Sequence, residues 1–269
     1  MNQIELDRKE ISQLVKKYVT IILEEYKEYI PINIQNKLKS IKDFYDYVLV
    51  VPNHTISLFA NPINTTIYLP FDAYKAIEIL KKLPDYGIDK NHKTYKENNI
   101  VLNDNTYRDF VNHVIIKGES CVEYFKEILL HEVMHICGSS GFNALCEGFN
   151  ELKTREIAEK YGLETSYCGY PKEVKIAYEL QQIFGRKIGD KINFLDFKER
   201  LILLEQEVGE EAATLYKNIF VSMEKEFRPY ITKSYPAFNG IKEKCDEYDK
   251  IDYKEVYSFL NDYKDKKKK

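Results

Sequence analysis

No run of apolar residues in this chain approaches the ~18 that a membrane-spanning helix needs, so no membrane partner is expected. Cysteine is scarce too. There are five in 269 residues, an odd number with no CxxC pair, which argues against a disulfide framework. Cys121, Cys137, Cys146 and Cys168 read instead as small core or half-buried residues. Proline, glycine and serine nowhere gather into an interdomain linker, and no internal repeat is visible. The opening MNQIELDRKE is charged and lacks the apolar core of a signal peptide, so the expected location is cytoplasmic; a processed secreted chain would read the same way. A net charge of −3 provides no general reason to expect a nucleic-acid partner. The KDKKKK ending reads as a solvated tail. What remains, 44% hydrophobic and 31% charged, is the balance of a globular chain.

Histidine is also rare, with five in the chain, yet two of them fall in HEVMH at 131–135. At i and i+4 on a helix, His131 and His135 share one face, so both imidazoles can reach one ion. Glu132 between them sits beside that ion and is placed to act as general base on a water. The flanks supply the helix. Ser120 and Glu123 form a capping box, Val122, Phe125, Ile128, Leu129, Val133 and Ile136 make a helical stripe, and Gly138 to Gly141 end it. Cys137 points away from the histidine face. His54, His92 and His113 read as ordinary surface or strand residues.

A catalytic zinc takes three protein ligands and leaves a fourth position open. The third is expected from a helix over 143–161, where Glu147 and Glu151 stand at i and i+4 on one face. The spacing alone leaves both as ligand candidates.

With HEVMH followed by Cys146-Glu147-Gly148-Phe149-Asn150, the chain resembles the gluzincin clan of zinc metallopeptidases over about residues 118–160, which includes the thermolysin-like and M1 aminopeptidase-like families. In the aminopeptidase families the ligand glutamate is written N-E-G-F-A. In the thermolysin-like families an acidic residue four positions on orients a zinc histidine. The resemblance therefore implies Glu147 as ligand and Glu151 as the carboxylate behind a ligand ring. The eleven residues between His135 and Glu147 are fewer than in the larger members, so the turn at 138–141 must be tight. Peptide deformylases take a cysteine ligand from an E-G-C-L-S-type motif that is absent, and metzincins need a third histidine that is also absent.

The resemblance implies one Zn²⁺ per chain, held by His131, His135 and Glu147, and a peptide or protein substrate. Glu132 would be general base, and a tyrosine would steady the oxyanion. Tyr170, in the G-Y-P turn that opens the next helix, is the candidate, with Tyr167 and Tyr178 competing among 22 tyrosines. The alternative function is a zinc-binding regulatory or structural protein of the same fold without significant peptidase turnover.

The rest of the chain reads as two regions. In 1–117 a helix over 6–29 precedes a short one near 34–46, then strand-like runs at 47–51, 55–60 and 65–69, a helix over 73–83, a polar loop over 84–98, a strand at 100–102 and an ambiguous 106–116. In 118–269 the reading is helical, at 120–137, 143–161, 172–185, 194–207, 210–227 and 241–263. The expected class is α+β, predominantly helical and zincin-like, with a small N-terminal sheet above the active-site helix and a helical C-terminal lobe. Substrate would lie as an extended strand along a sheet edge, with TTIYL at 65–69 as the edge.

Overall fold

Helix α1 (Gln3–Tyr26) follows its apolar spacing and buries Val15, Tyr18, Val19, Ile22 and Tyr26 along one face. It ends ahead of Pro31, and α2 (Ile32–Ser40) follows, its entry tied down by Gln35 Nε2, which donates to the carbonyls of Lys27 at 2.7 Å and Ile30 at 2.8 Å. The computed structural model describes residues 3–40, 48–51, 59–61, 66–70, 95–97, 100–102, 121–138, 143–163, 170–232 and 248–268. The expected helix over 73–83, the stretch 106–116, Ser120, Tyr167, Cys168, His54, His92 and His113 lie outside these residues.

The α+β zincin-like expectation is overturned. Of the residues whose side chains are described, 87% are helical and none lies in a strand. Among the described residues, strand pairing is confined to short backbone segments of three to five residues: β1 (Val48–Val51), β2 (Phe59–Asn61) and β3 (Thr66–Pro70) in the order β1-β3-β2, and β4 (Tyr95–Glu97) with β5 (Ile100–Leu102). Pieces of this length sit at the short end of the usual strand range, and the β1-β3-β2 set lies against α1 and the helix Cys121–Cys137 as an appendage to a helical body. β-branched runs signal a tendency to pair, not the extent of a sheet. The β4 segment falls in the stretch expected to be loop. The expected edge strand is corrected as well: β3 lies between β1, parallel, and β2, antiparallel, so TTIYL is internal.

The helical core has two parts. In the first, α1 and α2 pack on α3 (Cys121–Cys137), joining Val15, Ile22 and Leu38 to Leu129, Val133 and Ile136. In the second, α4 (Ala144–Tyr161) packs with α5 (Pro171–Phe184), α6 (Arg186–Phe194), α7 (Phe197–Glu207), α8 (Glu210–Thr232) and α9 (Lys254–Lys267). Helix α4 serves both. Leu145, Phe149 and Leu152 belong to the second cluster and Ile157 and Ala158 to the first. Every residue from Ala144 to Thr154 is buried, so α4 has no solvent face over its first three turns and meets solvent only toward its C-terminal end.

Local chemistry fixes the ends of α4. Asn143 caps its start by accepting from the Cys146 N–H at 3.0 Å. Gly162 ends it at φ 62, a left-handed turn that a side chain resists, while the Leu163 N–H reaches back to Ala158 O at 2.8 Å. The α4–α5 crossing is very close: a Cβ on Gly148 would meet the Glu173 carbonyl oxygen at 2.5 Å. Glycine is what lets α5, and the turn that begins it, approach the segment carrying Glu147.

Two buried cationic side chains, Lys153 and Arg200, are paired across helices at α4, as burial requires. Lys153 Nζ binds Asp190 Oδ1 at 2.5 Å, Glu156 Oε2 at 3.0 Å and the Gln181 amide oxygen, tying α4 to α5 and α6. Arg200 donates to Leu195 O at 2.8 Å, Cys146 Sγ at 2.7 Å and Tyr216 Oη at 2.9 Å, tying α7 to α4 and α8. Among the described residues no helix is long and apolar enough to cross a membrane.

Candidate metal centre

Helix α3 presents His131 and His135 one turn apart, and α4 crosses it with Glu147, Asn150 and Glu151 on the facing side. Three atoms converge. His131 Nε2 and His135 Nε2 are 3.1 Å apart, and each lies 3.2 Å from Glu147 Oε2. All three residues are buried. They form the group of His, Cys, Asp and Glu side chains that could hold a metal ion among the described residues.

The tautomer of His131 gives this triangle its meaning. Its Nδ1 lies 2.7 Å from Glu151 Oε2. A carboxylate only accepts, so Nδ1 carries the hydrogen, and in the neutral ring Nε2 is a bare lone pair. That lone pair faces Glu147 Oε2, another acceptor, and the Nε2 of a second imidazole. With both Nε2 atoms deprotonated, three acceptors face one another at 3.1–3.2 Å and repel, and either a proton or a metal cation among them removes the repulsion.

Three further observations bear on a cation. A tetrahedral ion with bonds of about 2.0–2.1 Å sets its ligand atoms about 3.3–3.4 Å apart, close to the triangle found here. Glu147 Oε1 is buried with no hydrogen-bond partner among the described residues. Two carboxylates and two neutral imidazoles also leave a net negative centre that a divalent ion would cancel. The donor set therefore fits a metal.

The protonation equilibria of the side chains alone express the same demand. Burial opposes charge on Glu147, but the charge of His135 and the hydrogen bonds from both histidines outweigh it and hold its carboxyl at about 2. Burial likewise opposes charge on His131, but hydrogen bonds to Glu147 and Glu151 outweigh it and lift the imidazole well above its ordinary value.

The structure brings together His131, His135, Glu147 and Glu151. Glu132 is half-buried on α3 beside them. Tyr170 stands at the start of α5 with its ring 6.0 Å from the His131 ring and 5.9 Å from Phe227. Its backbone is left-handed, φ 56 and ψ 49, a conformation that a bulky residue adopts only where its surroundings impose it. Tyr178 is half exposed. Cys137 and Cys146 are free and buried, and burial pushes the Cys137 thiol up.

Sequence reasoning missed Asn150. Its Nδ2 donates to the backbone carbonyl of His131 at 3.0 Å, and its Oδ1 is buried with no partner among the described residues. The available signal was its place beside Glu151, on the same face of α4 as Glu147.

Comparison of the chain with family models, with curated proteins and with solved structures finds no match.

Proposed function

We propose that the protein is a zinc-dependent peptide hydrolase with a ligand set of the gluzincin kind. The observation that carries this reading is the convergence of His131 Nε2, His135 Nε2 and Glu147 Oε2 at 3.1–3.2 Å from two separate helices. Two imidazoles and one carboxylate suit zinc better than the all-oxygen sets of magnesium or calcium. Three protein ligands also leave one vertex open, the usual difference between a catalytic and a structural zinc.

In this reading His131, His135 and Glu147 hold one Zn²⁺ per chain, and Glu151 keeps the His131 ring in its ligand tautomer. When bound, the ion supplies Lewis acidity, lowering the pKa of a water toward ~7 and polarising a peptide carbonyl. Glu132 takes the proton of the attacking water and returns it to the leaving amine. Tyr170, beside His131, is the donor offered to the developing oxyanion. The buried free thiols of Cys137 and Cys146 accord with a reducing, cytoplasmic setting.

A second reading, a zinc-binding protein without turnover, draws on one observation: His131 and His135 are only 6% and 8% exposed, which leaves substrate little access. One comparison separates the two. Metal analysis of purified protein should find about one zinc per chain, and Glu132→Gln should retain it. Cleavage of a peptide digest should be at least 10²-fold slower in the variant. A metal-loaded wild type that cleaves no better than Glu132→Gln would favour the second reading, and a wild type that takes up no zinc would remove both.

A further inference from the structure

We infer that Asn150 is a positioning residue that sets the spacing of the metal-binding triad by clasping α4 to the main chain of His131. The inference rests on reading the triad as a metal centre. Two of the donors belong to α3 and one to α4, so their spacing depends on how the two helices register. A slide of one residue along a helix axis is about 1.5 Å, enough to take Glu147 Oε2 out of reach of a shared ion.

Besides the Glu147 contact at the triad, two ties run from α4 to His131, and they differ in kind. Glu151 holds the ring, through Nδ1 at 2.7 Å. A ring turns about its side-chain bonds, so this tie orients the imidazole without fixing the helix. Asn150 Nδ2 instead holds the His131 carbonyl oxygen at 3.0 Å, an atom that moves only when the helix moves. Asn150 stands at i+3 from Glu147 and i−1 from Glu151, so one turn of α4 carries the ligand, the ring orienter and the backbone clasp.

As a stabilising device Asn150 is poor. It is fully buried, and its Oδ1 has no partner among the described residues, a desolvation cost that an apolar side chain avoids. The His131 carbonyl lies inside a helix, where a helical N–H already serves it, so Asn150 adds a second bond and is not needed to satisfy the first. What the side chain adds is geometric.

The test uses the full chain and two variants, Asn150→Leu, which keeps the branched side-chain skeleton and removes the donor, and Asn150→Ala. Zinc affinity is measured by competition with a chromophoric chelator. Ligand geometry is read from the visible absorption of the cobalt-substituted protein. Helix content and the thermal midpoint of the metal-free protein report the fold. The expected result is a 10–100-fold loss of zinc affinity and a changed cobalt spectrum, with metal-free helix content and midpoint close to wild type. Wild-type affinity and spectrum in both variants would overturn the inference. So would unfolding of both, which would make Asn150 a residue of the fold alone. A wild type that binds neither zinc nor cobalt is a different result, in which the triad reading itself falls and takes the inference with it.

Discussion

Glu151 sits behind the His131 ring, its Oε2 2.7 Å from Nδ1, while the opposite nitrogen of the same ring faces Glu147 Oε2 at 3.2 Å. The two glutamates, one helical turn apart, thus bracket a single imidazole and do different work. On the proposed metal-centre reading, Glu147→Ala removes one corner of the triangle and should abolish most metal affinity. Glu151→Ala leaves the triangle intact but frees the ring, and should weaken affinity roughly 10–100-fold. Zinc titration of both variants checks the assignment, and a larger loss in Glu151→Ala would reverse it.

Gly148 is where α5 touches α4. A Cβ there meets the Glu173 carbonyl oxygen at 2.5 Å and its carbonyl carbon at 2.6 Å, both backbone atoms that no side-chain rotation can move. Gly148→Ala should therefore push the helices apart and destabilise the protein by about 1–3 kcal/mol, the usual range for overpacking, despite the better helix propensity of alanine. Urea denaturation measures it, and a variant as stable as wild type would show that the crossing is looser than described.

Glu173 is buried beneath two phenols: Tyr248 Oη donates to its Oε2 at 2.7 Å, and Tyr253 Oη donates to its Oε1. Burial raises its pKa above the ordinary 4.5, and the two phenol hydrogen bonds and nearby Lys172 offset only part of the rise. A folded-state pKa above the unfolded one means that folding binds a proton. Its contribution to stability is fully present below pH 4.5 and is lost as pH rises through the raised value. Glu173→Gln, neutral throughout, should remove this component. The difference in denaturation midpoint between wild type and Glu173→Gln should shift in favour of the variant as pH is raised from 4 toward neutrality. A pH-independent difference would mean that the carboxylate titrates normally.

The site was legible in the sequence to the extent that it is written in local spacing. HEVMH and the Glu147/Glu151 pair are helix-periodic patterns, and helix geometry alone puts each set on one face. The shared face of the two histidines and that of the two glutamates follow without knowledge of the tertiary fold. Asn150 and Lys153 were not legible in this way. A polar residue in a helix reads as solvated, and the partners that explain their burial lie 19 residues away for Asn150, and 28 and 37 away for Lys153. Tyr170 was named for its place in a turn, but nothing in a tyrosine signals a left-handed backbone.

In the fold, α1, α3, α4 and α5 fall close to their expected bounds because their apolar residues recur at helical period. Helix α6 was missed: RKIGDKINF carries a mid-segment glycine and many charges, and only its packing against α4 and α5 makes it a helix. The expected helix over 241–263 is broken at 251–253, where Tyr253 takes φ 51 to direct its side chain inward, and α9 begins at Lys254. Residues 241–247 lie outside the described set. The sheet was over-read: among the described residues the β-branched runs at 47–51, 55–60 and 65–69 pair as the short pieces 48–51, 59–61 and 66–70, in a body that is otherwise helical.

Helix α4 lends one flank to each hydrophobic cluster, with Phe149 in one and Ile157 in the other. A wall common to two rooms cannot be taken down for one of them. Loss of either cluster exposes apolar surface of the helix on which the other closes, so the two should open together as one cooperative unit. The amide hydrogens of α4 would then exchange with solvent at the slowest rate in the molecule, and those of α1 and α9, each part of a single cluster, no slower than that limit.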